Sequence, residues 1–147
     1  MRYLSTASVC FLCLCSTSAK GQQDHPNLSG KWQINAGRST LRSGKPAVAS
    51  LTIEQKATSI HIISTMNGEG KESVVDFTCT TDGKDCDVRG EKISLWYSGP
   101  SLVEMEIGKD TTTKSTIKID EDGKSITIDV AHITPTAEAD RVVLEKK

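Results

Sequence analysis

The chain has 147 residues, a formal net charge of −1 and only 4% aromatic residues. That length suits one domain with a modest core. A nearly balanced charge gives no long-range attraction to nucleic acid or to an anionic membrane.

Residues 1–19, MRYLSTASVCFLCLCSTSA, run from a basic residue, Arg2, through an apolar stretch to small residues at Thr17 and Ala19. This is the layout of a cleaved secretory signal, and its apolar run is too short for a stable membrane span. The cut is expected after Ala19, with Gly21 as a second acceptable position. Neither Leu14 before Cys15 nor Val9 before Cys10 is the small residue that a lipoprotein signal needs. Cleavage removes Arg2, taking the charge from −1 to −2, together with Cys10, Cys13 and Cys15 of the five cysteines. The protein is therefore expected to be exported, periplasmic or secreted. The expected organisation is a signal at 1–19, a polar lead at 20–27 and one domain at 28–147.

The mature chain then reads as short runs that alternate apolar and polar residues. Examples are Leu51/Ile53, Ile60/Ile62, Val75/Phe77/Cys79, Ile93/Leu95/Tyr97, Met105/Ile107, Ile117/Ile119, Ile126/Ile128/Val130 and Val142/Leu144. Period-two alternation places one face in a core and the other in water, which predicts antiparallel strands. Asn67-Gly68, Asp82-Gly83, Gly99-Pro100 and Asp122-Gly123 fall between these runs and read as tight turns. Residues 36–50 form the one long connection, expected as a lid or a short helical turn. Eight to ten strands joined mostly by hairpins predict an all-β fold, an antiparallel up-and-down barrel, with a β-sandwich as the alternative.

Cys79 and Cys86 are the cysteines left after cleavage, and an even pair in an exported chain reads as a disulfide. A turn centred on Asp82-Gly83 sets Cys79 opposite Cys86 and Phe77 opposite Val88. Directly opposed strand positions lie about 4.5 to 5.5 Å apart, within the reach of a disulfide. The eight-residue spacing is not that of a redox motif.

Sites for chemistry are sparse. Around Gly123 an EF-hand register puts Lys118 at the first ligand position and leaves no closing glutamate, so calcium binding is not expected. Residues 67–73 lack the spacing of a phosphate loop. No serine stands in a nucleophile elbow and no Cys/His cluster has zinc spacing, so no catalytic residue, metal or cofactor is assigned. Of the histidines, His25 lies in the lead and His61 has the parity of a solvent face. His132 shares the parity of Ile126, Ile128 and Val130 and points inward, where an imidazole orients a ligand or serves as a base.

The motif Gly30-Lys31-Trp32 at the opening of the first strand, with Arg141 in the closing segment DRVVLEKK, resembles the lipocalin-like, or calycin, superfamily. The resemblance implies that Arg141 packs over the indole of Trp32 at the closed end of a barrel, beside the small Gly30. A desolvated cation–π contact contributes up to about 2 kcal/mol. The order of LSGKW, LTIEQ, TTDGK, WYSG, DGKSITI and VLEK is similar to that of small exported bacterial proteins of lipocalin-like type. The family implies a cup that holds a small hydrophobic molecule. The expected contacts are Ile62, Phe77, Leu95, Met105, Ile128 and His132. The second reading is a protein-interaction module or an inhibitor of a secreted enzyme, with a filled barrel and residues 36–50 as its surface. An enzyme using His132 as base ranks third.

Overall fold

A computed structural model describes residues 25–43, 47–68 and 70–147. The expected signal peptide, its expected cut and most of the polar lead lie outside the described residues. Ten strands account for most of the chain. They are β1 (Gly30–Ile34), β2 (Ala47–Gln55), β3 (Ser59–Gly68), β4 (Lys71–Thr80), β5 (Asp82–Val88), β6 (Glu91–Ser98), β7 (Ser101–Ile107), β8 (Thr112–Ile119), β9 (Ser125–Thr134) and β10 (Asp140–Lys146). They form one antiparallel sheet in the order β4-β3-β2-β1-β10-β9-β8-β7-β6-β5. A single sheet curled on itself is a nearly closed up-and-down barrel, and the sandwich is excluded.

The ladder register stacks the interior in layers, because directly paired residues share a face. Leu102, Ile117, Ile128 and Val142 form one apolar row across β7, β8, β9 and β10. Ile119, Ile126, Leu144 and Ile34 form the next row toward the closed end. On the opposite wall Ile53, Ile62 and Phe77 pair across β2, β3 and β4.

The closed end is built around Trp32, only 1% exposed. Its indole N–H donates to the Leu28 carbonyl at 3.1 Å, and Leu28 is itself fully buried. The chain before β1 therefore crosses the barrel floor. Gln55 Oε1 accepts the Leu28 N–H at 2.9 Å, and Ser29 Oγ accepts the Gln55 N–H at 3.0 Å. His25, expected in a loose lead, stacks on Tyr97 with ring centroids 3.6 Å apart. The cation over the indole is Lys146, whose Nζ lies 5.3 Å from the ring centroid, and not Arg141. Lys146 is the ladder partner of Trp32. Arg141, five residues nearer the mouth, is largely exposed and donates to Asp129 at 2.7 Å. Gly30 has φ +151, and a Cβ there would stand 3.1 Å from the Lys146 side chain. Glycine thus lets the lysine lie across the tryptophan.

The barrel is left open along β4 and β5, which share no ladder among the described residues. Asp82-Gly83 does not form the expected hairpin turn: both residues lie in β5, where Gly83 has φ +79 beside a break in the register with β6. The chain then leaves β4 and pairs with β6 through an irregularity between Asp82 and Asp85, so the expected ladder from Cys79 to Val88 does not form. The Cys79–Cys86 disulfide does form, with a Cα separation of 5.9 Å, and joins the two edge strands. Lys71, Glu72 and Asp76 on one edge and Lys84, Asp85 and Asp87 on the other keep these edges charged, which blunts pairing with other chains. Another sequence expectation also shifts: Asn67 and Gly68 end β3, and the turn falls at Gly70 with φ +75.

The disulfide closes a short loop, and its removal in Cys79→Ser/Cys86→Ser is expected to cost about 2 kcal/mol. Urea unfolding of the double variant and the oxidised parent measures this, and equal midpoints would contradict it.

Candidate functional site

The interior encloses a cavity of about 380 Å³. Its lower wall is apolar, with Leu51, Ile62, Phe77, Ile117, Ile128 and Val142, and toward the mouth Glu91, Glu104, Glu106, Thr113, Ser115 and His132 take over beside Ile93. The gradient follows from the strands. Glu106, Thr113 and His132 form one row across β7, β8 and β9. Glu104, Ser115, Val130 and Asp140 form the row beneath it.

Of the six expected contacts, Ile62, Phe77, Ile128 and His132 line this cavity. Leu95 points inward but is fully buried in the core beside the cavity and is not part of its lining. Met105 lies on the outer face, paired with Ser94 and Lys114. The inward residues of β7 are Leu102, Glu104 and Glu106, whereas Ile107 is 44% exposed. The turn at Gly99-Pro100 carried the missed signal. It pairs Ser98 with Ser101 and therefore Leu95 with Glu104 and Ile93 with Glu106. Once Ile93 and Leu95 face inward, both glutamates must as well.

Two inward carboxyls in a largely apolar cup have perturbed acidity. Burial pushes the Glu104 carboxyl up to about 7, and the charge of Glu106 adds to the rise. Glu106 is also raised, first by burial, then by the charge of Glu91 and a hydrogen bond shared with it. Two carboxyls share a hydrogen bond only when one holds a proton. Among the described residues no cation lies within ion-pair distance of Glu104 or Glu106. Arg89 contributes the cavity's guanidinium, at an exposed turn on the rim.

His132 and Asp140 hold the mouth. Both side chains are only 6% exposed, and Nε2 of His132 lies 2.9 Å from Oδ2 of Asp140. The Nδ1 of His132 is buried without a partner among the described residues. Asp140 also accepts the N–H groups of Arg42 at 2.6 Å and Ser43 at 2.9 Å, and the Ser43 hydroxyl. Burial raises the Asp140 carboxyl, but the Ser43 hydroxyl and N–H, His132 and the Arg42 N–H outweigh it and hold it at about 2. An ionised acceptor at this point fastens the connection after β1 to the rim. That connection follows β10 outward from Asn35, through the Thr40–Arg141 bridge, to Ser43. Its described residues, 35–43, run along the outside of β10 beside Val143 and not across the mouth; residues 44–46 lie outside the described set.

The remaining histidine behaves as its parity predicts. His61 faces solvent between Glu54 and Asp76, at 3.5 and 2.7 Å, and hydrogen bonds to Asp76 and then Glu54 raise its pKa.

A nearly closed, ten-stranded antiparallel cup with a tryptophan floor is the fold that the lipocalin-like resemblance of the sequence implied. Solved structures share it. The fluorescent protein UnaG matches with a TM-score of 0.58 and 16% identity, covering 82% of this chain and 97% of that one. A mutant of the same protein matches at 0.57 and 15%, covering 81% and 95%. At such identity the likeness concerns the fold. No protein-family model matches the chain, and no curated protein matches its sequence.

Proposed function

We propose that this protein is an exported, non-enzymatic binder that holds one small hydrophobic molecule inside its barrel. The observation that carries the reading is the cavity of about 380 Å³ with an apolar lower wall. Its size falls within the range of about 300–1,000 Å³ typical of small-molecule sites. Ile62, Phe77 and Ile128 supply apolar surface, and His132 orients the ligand from the mouth. The hollow interior disfavours the interaction-module reading, which depended on a filled barrel. Export rests on the leader at 1–19, with a mature chain beginning at Lys20.

Native mass spectrometry of the exported protein tests both parts. The expected spectrum shows the mass of a chain cut after Ala19 or Gly21 and a one-to-one adduct, either copurified or formed on adding 1-octanol. A chain that retains residues 1–19 would overturn the export reading, and the absence of any adduct would overturn ligand binding.

A further inference from the structure

We propose that the ligand is an organic cation: an apolar body seated against Ile62, Phe77 and Ile128, with an ammonium group held by Glu104 and Glu106. This rests on the reading of the barrel as a ligand-binding cup and names the chemistry of its occupant.

Three features converge on a head that donates hydrogen bonds. Among the described residues the lining carries the carboxyl groups of Glu91, Glu104, Glu106 and Asp140 against the guanidinium of Arg89. Asp140 is committed to Ser43, Arg42 and His132, and Glu106 shares a hydrogen bond with Glu91, so Glu104 and that acid pair are the carboxyls that face a ligand. An ionised carboxylate facing apolar surface is costly without a counter-charge, and the described residues place none within ion-pair distance of Glu104 or Glu106.

Independently of the acids, His132 lines the same space and keeps one ring nitrogen unsatisfied. With Nε2–H donated to the Asp140 carboxylate, Nδ1 carries a lone pair and accepts. That nitrogen is buried and unpartnered among the described residues. His132 stands in the same ladder row as Glu106, with Thr113 between them. Two strand spacings, about 10 Å at the backbone, separate them, a span that two long side chains narrow from both sides. An ammonium has three N–H donors and no acceptor, so it matches carboxylates and an imidazole lone pair together. A carboxylate ligand would instead meet like charge. An inorganic cation fits less well, because no group of three His, Cys, Asp or Glu among the described residues is placed to hold a metal.

Calorimetric titration at pH 8 with octylamine, 1-octanol and octanoate separates the alternatives, since the three share one apolar tail. The amine is expected to bind at least tenfold tighter than the alcohol, with octanoate weakest. In Glu104→Gln/Glu106→Gln the ratio of amine to alcohol affinity is expected to fall below threefold, with circular dichroism confirming the fold. Alcohol binding as tightly as the amine, octanoate binding tightest, or a tenfold preference that survives the double substitution would overturn the cation proposal alone. Failure of all three to bind would overturn the ligand-binding reading and this proposal with it.

Discussion

Trp32→Ala is expected to destabilise the protein by about 3–5 kcal/mol, the range for emptying a fully buried large aromatic site. Domains of this size are stable by only about 5–15 kcal/mol, so the variant should approach its unfolding midpoint in dilute urea. The effect is large because Trp32 joins three parts of the chain. Its N–H satisfies the Leu28 carbonyl, its ring lies under Lys146, and its strand pairs with both β2 and β10. Arg141→Ala provides the contrast. Its partner Asp129 is 38% exposed and Arg141 itself 61% exposed, so its loss should change stability by less than about 1 kcal/mol. Urea denaturation followed by far-ultraviolet circular dichroism measures both. A loss under 1 kcal/mol for Trp32→Ala, or the larger loss for Arg141→Ala, would show that the floor has been misassigned.

Glu104→Gln is expected to do the opposite, and only at neutral to alkaline pH. The unfolded chain releases the Glu104 proton near 4.5, whereas the folded protein holds it to about 7. Between these values the native state binds more protons, so stability falls as pH rises through that window. The shift corresponds to about 3 kcal/mol at full ionisation, and water reaching the site through the mouth leaves about 2 kcal/mol of it. Glutamine has no proton to lose. The variant should therefore match the parent at pH 4 and exceed it by about 2 kcal/mol at pH 8, as read from unfolding free energies. An equal difference at both pH values would mean that Glu104 is not buried as described.

The architecture was legible where local rules suffice. Alternation marked the strands, Gly99-Pro100 and Asp122-Gly123 marked the turns they occupy, and cysteine parity marked the disulfide. The inward face of β9 was legible too, so Ile128 and His132 were found. Arg141 was misplaced because the β1–β10 register is non-local. DRVVLEKK offers cations at both ends, and only the pairing of Ile34 with Leu144 brings Lys146 opposite Trp32. Met105 was misplaced because β7 carries apolar residues of both parities, and hydrophobicity alone favoured Val103, Met105 and Ile107 over Leu102, Glu104 and Glu106. The acids were readable only by carrying the β6 parity through the Gly99-Pro100 turn. Asp140 gave no signal of its own, since its role depends on Ser43 being delivered from a distant connection.

Binding inside the barrel is tested most directly by nuclear magnetic resonance on protein with labelled isoleucine methyl groups and an octyl ligand. Intermolecular nuclear Overhauser effects are expected from the octyl chain to Ile62, Ile93, Ile117 and Ile128, which line the cavity. None is expected to Ile107 or Ile133, which are exposed on the outside. Contacts confined to the exterior isoleucines, or no contact with the cavity methyls at saturating ligand, would contradict it.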